Sequence, residues 1–327
     1  MKKIVNFFGD NTALSVSLNR KAEEYAESLG LEYSWAPQLP YSQEAVISAL
    51  QEADAGIINT EPYGEPVFSR IKNGAKLLVR FGVGYDNVDL AAATAAGIAV
   101  ARTTGANASA VAETALLLVL ACRRKLNRAQ AQVKAGLWGK DVGSELIGGT
   151  AGIVGFGHVG RIFARLLSGF DCAVLVYDPM LTEEDAAAAG VKKASLEELF
   201  ALSDAVSIHA PLTDETRGLI GADLLDLMKP EAVLVNTARG GIVDEDALTD
   251  ALNSGRLAGA GLDVFAQEPL PADSPLRSAE NLILTPHNAS QSVESLWNIY
   301  KTAIDICADF FAGRPSAHIL NPEYAGR

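Results

Sequence analysis

The sequence predicts an α/β protein made of two doubly wound, parallel-sheet domains with a cleft between them. Three observations lead there. The chain has 327 residues, more than one compact core usually holds. Short apolar runs alternate with helical segments in two successive series, the rhythm of parallel sheets. The second series opens on Gly155-Phe156-Gly157-His158-Val159-Gly160, directly after an apolar strand and directly before a helical pattern. That context separates a dinucleotide-binding turn from a chance glycine triplet.

In the first series, strands are predicted at 3–7, 55–59, 77–81 and 98–101, with helices at 42–52 and 89–96. Residues 108–124 read as a long helix with a very apolar middle. A helix apolar all round must be buried on several sides, as one lying between two domains would be. Residues 127–149 are polar, contain glycine and show weak periodicity, so they read as an excursion from the core. The second series predicts strands at 151–154, 173–177, 206–209, 233–236, 261–264 and 282–284. Among its helices is 196–202, where Ser195 and Glu198 have capping-box spacing. A last helix covers 290–311. Six strands opening with a glycine fingerprint make a Rossmann-like fold.

A net charge of −13 argues against a nucleic-acid partner, which would need a basic face. Cys122, Cys172 and Cys307 are far apart and lack metal-ligand spacing, so each reads as a small apolar residue in a reducing compartment, with no metal expected. The longest apolar run, 115–122, is too short to span a bilayer, and Asp10 interrupts the N-terminal run before it resembles a signal peptide. A soluble, cytoplasmic chain without a membrane partner is expected.

In the fingerprint, Gly155 permits the tight turn, Gly157 lets backbone amides approach a pyrophosphate, and Gly160 lets helix and strand pack closely. The helix that follows supplies free N–H groups and a partial positive charge. Asp178 ends the next strand, eighteen positions after Gly160, where a carboxylate would accept ribose hydroxyls and repel a 2′-phosphate. No Arg or Lys follows nearby, so NAD is predicted over NADP.

Three polar residues follow that fingerprint in order: Arg239 in Asn236-Thr237-Ala238-Arg239-Gly240-Gly241, Glu268 before Pro269, and His287 after Pro286. Hydride transfer to a 2-keto acid leaves charge growing on the carbonyl oxygen. A guanidinium can grip the substrate carboxylate with two parallel bonds. An imidazole can exchange the proton near neutral pH, and a carboxylate can hold and orient its ring. Arg239 and His287 each follow a predicted strand, where doubly wound sheets bind ligands, and Gly240-Gly241 would keep the Arg239 turn open. Of the other histidines, His158 lies in the phosphate turn, His209 ends a strand as either a cofactor contact or packing, and His318 reads as structural.

Together with Arg80-Phe81-Gly82-Val83-Gly84-Tyr85-Asp86-Asn87-Val88-Asp89, the 107–113 segment and His209-Ala210-Pro211-Leu212-Thr213, these motifs resemble the D-isomer-specific 2-hydroxyacid dehydrogenase family over nearly the whole chain. The likeness is to its phosphoglycerate dehydrogenase and glyoxylate/hydroxypyruvate reductase branches. The resemblance implies a discontinuous substrate domain, 1–101 plus 290–327, around an NAD-binding domain at 102–289. It implies catalysis by Arg239, Glu268 and His287. Substrate contacts are implied at Arg80, Phe81, Val83 and Gly84, with the backbone around Val83-Gly84 holding the carboxylate. Besides the fingerprint and Asp178, it implies cofactor contacts at His209, Ala210, Pro211, Thr216, Thr237, Ala238 and Asp263, the last on the nicotinamide amide. It also implies domain closure and a homodimer, with 127–149 as the dimer arm.

The chain departs from the family in places. Ala289 stands where many members carry Gly. Glu268 stands where the family's formate dehydrogenases carry Gln. Asn59 stands near where several phosphoglycerate dehydrogenases place a basic residue, and many of those continue into a C-terminal regulatory domain, whereas this sequence ends at Arg327. The expected reaction is NAD-dependent interconversion of a small 2-keto acid and its D-2-hydroxy acid. The alternatives are an NAD(H)-responsive, corepressor-like binding protein, and a phosphoglycerate or phosphite dehydrogenase.

Overall fold

A computed structural model describes residues 1–326, which form two compact units. The first is Met1–Asn107 together with the C-terminal segment from Ser292, and the second is Ala108–Gln291.

The first unit runs β1 (Lys2–Asn6), α1 (Ala13–Ser28), β2 (Leu31–Trp35), α2 (Gln43–Gln51), β3 (Ala55–Ile58), α3 (Glu65–Ile71), β4 (Leu77–Arg80), α4 (Leu90–Ala95) and β5 (Ala99–Arg102). Its five parallel strands lie in the order β2-β1-β3-β4-β5, one of the common doubly wound orders. Neighbouring residues on a strand point to opposite faces, so Ile4, Ile57 and Leu77 enter one core while Val5, Ile58 and Leu78 enter another. Burial on both faces explains the nearly unbroken apolar runs. Side-chain caps start α1, α2 and α4: Thr12, Ser42 and Asp89 each accept an amide of the first turn.

The second unit begins with α5 (Ala108–Arg123) and α6 (Leu126–Lys134). It continues β6 (Thr150–Val154), α7 (His158–Leu167), β7 (Ala173–Tyr177), α8 (Glu183–Ala188), β8 (Lys192–Lys193), α9 (Leu196–Leu202) and β9 (Ala205–Ile208). Then come α10 (Ala222–Leu227), β10 (Val233–Asn236), α11 (Glu245–Asn253), β11 (Gly259–Leu262) and β12 (Leu282–Leu284). The chain then returns to the first unit as α12 (Val293–Phe311). There Tyr25 donates to Asp305 at 2.6 Å, Lys21 sits 3.7 Å over the Trp297 ring and Asn19 donates to the Tyr300 hydroxyl at 3.0 Å, pinning α12 to α1.

The second sheet has seven parallel strands, β12-β11-β10-β9-β6-β7-β8, rather than the six expected. The extra strand is β8, a two-residue pairing of Leu175 and Val176 with Lys192 and Lys193. Several bounds shift by a residue or more, and two of the shifts move site residues: β9 stops at Ile208, so His209 lies beyond it, and β11 is Gly259–Leu262, so Asp263 lies in the following turn; 127–149 is helical over its first part, in α6. Helix α5 packs on α7, β10 and β11, with Leu118 against Gly261, while Leu117 stays 61% exposed. Among the described residues, no helix is long and apolar enough to cross a membrane, and no group of His, Cys, Asp and Glu is placed to hold a metal ion. The three cysteines are free.

Candidate active site

Both ligand-related regions of the second unit lie at the carboxyl ends of its strands, where doubly wound sheets bind ligands. At the first, β6 runs into Gly155, whose φ of +95° suits glycine. A Cβ there would lie 2.7 Å from the Ala210 nitrogen, so the turn packs directly on the His209–Ala210 link. A Cβ on Gly160 would overlap the Gly155 carbonyl oxygen. Gly157 is different: a Cβ there would meet nothing within 4 Å, so this face is open to a ligand. Gly157 also starts α7 without a side-chain cap, leaving first-turn amides for an anion.

Asp178 braces this turn. One carboxylate oxygen accepts from the Phe156 amide at 2.7 Å and the other from the Met180 amide at 2.8 Å. A carboxylate offers about four lone-pair sites, so acceptor capacity is left for hydroxyls. A cavity of about 330 Å³ lies beside it, lined by Phe156, Gly157, His158, Arg161, Asp178 and Met180 among others. Arg161 is a cation the sequence reading did not place here. It comes from one turn into α7, with its guanidinium 4.6 Å over the Phe156 ring. An open turn, an uncapped helix and a carboxylate beside a cavity fit the pyrophosphate and adenosine ribose of NAD. Two strands along, after β10, the Thr237 hydroxyl is buried without a hydrogen-bond partner, so it has bonding capacity to offer a ligand.

Strand register gathers the catalytic candidates. Asn236 pairs with Leu262 and Leu262 with Leu284, so the turns after β10, β11 and β12 emerge side by side. After β10, the buried Asn236 side chain accepts from the Ala238 amide at 3.0 Å and donates to the Arg239 carbonyl at 2.8 Å, shaping the turn that carries Arg239. The Arg239 guanidinium donates to the Ala238 carbonyl at 2.7 Å. Gly240 does not simply open this turn, as expected. A Cβ on it would overlap the Phe265 carbonyl, so glycine is needed for close packing on the next turn.

Glu268 bridges two groups. One oxygen accepts from the Phe265 amide at 3.0 Å and the other lies 2.6 Å from Nδ1 of His287. His287 has φ +49°, and its amide donates to the Asp263 carbonyl at 2.8 Å. The Asp263 side chain is fully buried. Its carboxylate accepts from the Thr285 hydroxyl at 2.6 Å and from the amides of Asn288 and Ala289 at 2.9 and 2.8 Å. Asp263 thus builds the histidine turn, a task its sequence position did not reveal, and about one acceptor site remains for a nicotinamide amide. Ala289 is not among the residues with positive φ, so this turn does not require glycine there.

With Nδ1 held by a carboxylate, Nε2 is the ring nitrogen left for proton exchange. His209 is unlike His287. Its Nε2 lies 3.0 Å from the Ser207 hydroxyl, its ring packs 5.1 Å from Phe163, and burial pushes its pKa down to about 3. That is a neutral packing histidine. Its neighbours Ala210 and Pro211 lead to Thr216, whose hydroxyl donates to the Pro211 carbonyl at 2.7 Å and accepts from the Thr213 amide at 2.7 Å. His158 and Val159 are the first two residues of α7, and His158 is exposed. His318 pairs through Nδ1 with the Arg102 carbonyl at 3.1 Å.

In the first unit, Arg80 ends β4, is 9% exposed, and donates to the Phe81 carbonyl. Phe81 is buried, its ring stacked on Phe8 with centroids 3.6 Å apart, so its side chain is core. Tyr63 is core as well. Gly82, at φ +122°, turns the chain into the half-buried Val83 and Gly84. The Val83 carbonyl accepts from Arg102 at 3.4 Å.

The family model for the D-isomer specific 2-hydroxyacid dehydrogenase NAD binding domain matches residues 116–289. A glyoxylate reductase of Korarchaeum cryptofilum is 38% identical over 88% of this chain and 89% of its own length. A D-3-phosphoglycerate dehydrogenase of Archaeoglobus fulgidus is 36% identical over 93% of this chain, which spans 58% of that relative and about half of other phosphoglycerate dehydrogenases it matches. The solved structure of a D-2-hydroxyisocaproate dehydrogenase has a TM-score of 0.89 at 27% identity, covering 98% of this chain and 100% of that one. With the glycine turn, Asp178 and the Glu268–His287 pair in place, the chain belongs to the NAD-dependent D-isomer specific 2-hydroxyacid dehydrogenase family.

Proposed function

We propose that this chain interconverts a small 2-keto acid and its D-2-hydroxy acid with NAD as the redox partner. The observation that carries this reading is the 2.6 Å pair of Glu268 and His287, on the same sheet edge as Arg239. In reduction, His287 donates a proton from Nε2 to the carbonyl oxygen as negative charge grows there; in oxidation it takes the proton from the hydroxyl. Glu268 holds Nδ1 and fixes the plane of the ring. Arg239 binds the substrate carboxylate and carbonyl. NAD, when bound, supplies or accepts the hydride.

The Gly155–Gly160 turn and the start of α7 hold the pyrophosphate, and Asp178 takes the ribose hydroxyls. Thr237, Ala238 and Asp263 serve the nicotinamide end, with Ala210, Pro211 and Thr216 along the cofactor. In the first unit, Arg80, Phe81, Val83 and Gly84 supply substrate contacts through the backbone around Val83-Gly84. The working form is a cytoplasmic homodimer joined through 127–149. Support comes from that segment's exposed Leu137, Trp138 and Val142, at 60, 82 and 84%, and from three unbridged cysteines.

A second reading, a phosphorylated hydroxy acid as substrate, is favoured by the match to D-3-phosphoglycerate dehydrogenase over 93% of this chain. Loss of NADH absorbance with glyoxylate, hydroxypyruvate, phosphohydroxypyruvate, pyruvate and 2-ketoglutarate tests both. Turnover of an unphosphorylated keto acid is expected. Preference for phosphohydroxypyruvate selects the second reading, and no turnover with any of them rejects both.

A further inference from the structure

Glu245, the first residue of α11, does not cap its own helix; Asp244 does, accepting the amides of Asp246 and Ala247. The Glu245 side chain instead reaches twenty-one residues along the chain and accepts the Ala266 amide at 2.6 Å. The preceding amide, Phe265, is the one held by Glu268, which in turn holds His287. Gly240, next to Arg239, packs against the Phe265–Ala266 peptide too closely for any Cβ. The Phe265–Ala266 peptide therefore touches the turn of Arg239 and directly follows the Val264–Phe265 peptide, whose N–H holds the carboxylate that orients His287.

We infer that Glu245 is a positioning residue for catalysis: by clamping the Ala266 amide it fixes the Phe265–Ala266 peptide, and with it the adjoining Phe265 N–H on which Glu268, and through it His287, is aligned beside Arg239. This rests on the roles proposed above for those three residues.

A carboxylate is a costly choice at this place if stability alone is served. Glu245 is half-buried, and burial raises its pKa, as do the neighbouring carboxylates of Asp246, Asp244 and Glu268. The Ala266 amide opposes them, favouring the charged form. The bond spans two turns that are otherwise exposed around Ala266 and Gln267, where a loop left to itself would sample several positions.

The test compares Glu245→Ala with Glu245→Gln in the full chain. Gln keeps an oxygen that can accept the Ala266 amide; Ala does not. Deuterium exchange of the segment spanning Phe265 to Glu268 should be roughly tenfold faster in Glu245→Ala and near parental in Glu245→Gln. For the best keto acid, kcat should fall about tenfold or more in Glu245→Ala with KM for NADH within about twofold, and Glu245→Gln should recover most of that kcat. Unchanged exchange in Glu245→Ala, unchanged kcat despite faster exchange, or a Gln variant as slow as the Ala variant would each overturn the assignment. If the parental chain turns over no keto acid, the proposed reaction fails separately, and the exchange comparison alone still decides whether Glu245 clamps the peptide.

Discussion

Glu268 shares its carboxylate between the His287 ring, 2.6 Å from Nδ1, and the Phe265 amide, at 3.0 Å. The proton-exchanging ring and the loop beside it are thus set by one side chain. His287→Ala should lower turnover by roughly 10²- to 10⁴-fold. NADH binding should stay within a few-fold of the parent, because the glycine turn and Asp178 are untouched. Steady-state rates and a fluorescence titration check this together; a variant with near-parental rates would remove His287 from the chemistry.

Asp263 gathers three donors in a fully buried place. Asp263→Ala leaves the Thr285 hydroxyl and the amides of Asn288 and Ala289 without that partner, at a cost of about 3 kcal/mol or more. Urea unfolding should show a lower midpoint, and turnover should collapse with it because His287 sits on the same turn. A stable, active variant would show that the turn holds itself.

His209 makes a pH prediction. Its folded pKa of about 3 lies below the ~6.5 of an unfolded histidine, so between those values only the unfolded chain takes the proton. Acid therefore favours unfolding: stability is full above about 6.5 and falls by about 1.4 kcal/mol per pH unit below it. His209→Asn should remove that slope, losing about 2 kcal/mol less than the parent between pH 7.5 and pH 5 in paired urea titrations. Equal losses would mean that the ring is not held neutral.

Asp178 and Arg161 face one cavity with opposite charges. Asp178→Ala should improve NADPH relative to NADH by roughly tenfold or more, since a carboxylate no longer repels the 2′-phosphate. Arg161→Ala in that background should take the gain away. The ratio of kcat/KM for the two cofactors reads both steps, and an unchanged ratio in the first variant places the discrimination outside Asp178.

Strands such as β7, β10 and β12 were legible because each is an apolar run between turn residues, and their bounds agree with expectation. Helix α1 was not read, because its buried stripe is Leu18, Asn19, Ala22 and Ala26, and neither an asparagine nor two alanines make an apolar period. Asn19 is tolerated there because Asn6, Tyr33 and Tyr300 satisfy it. Helix α6 buries none of its residues, so it leaves no stripe to read. In the candidate site, Arg239, Glu268 and His287 stood out as side chains with chemistry. Asn236, Gly240 and the turn-building use of Asp263 did not, because their partners lie on other turns and only folding brings them together.

Helix α12 closes the first unit with a segment that leaves the ribosome almost two hundred residues after β5. Until Ile299, Tyr300, Ala303 and Ile304 emerge, the face of the first sheet carrying Ile4, Ile57 and Leu77 has no complete cover. The second unit is contiguous and needs no such wait. Synthesis therefore runs against the usual N-to-C order of domain maturation. The earliest part of this chain to be translated is the last to finish folding, and its open sheet face is the stretch most in need of chaperone cover meanwhile.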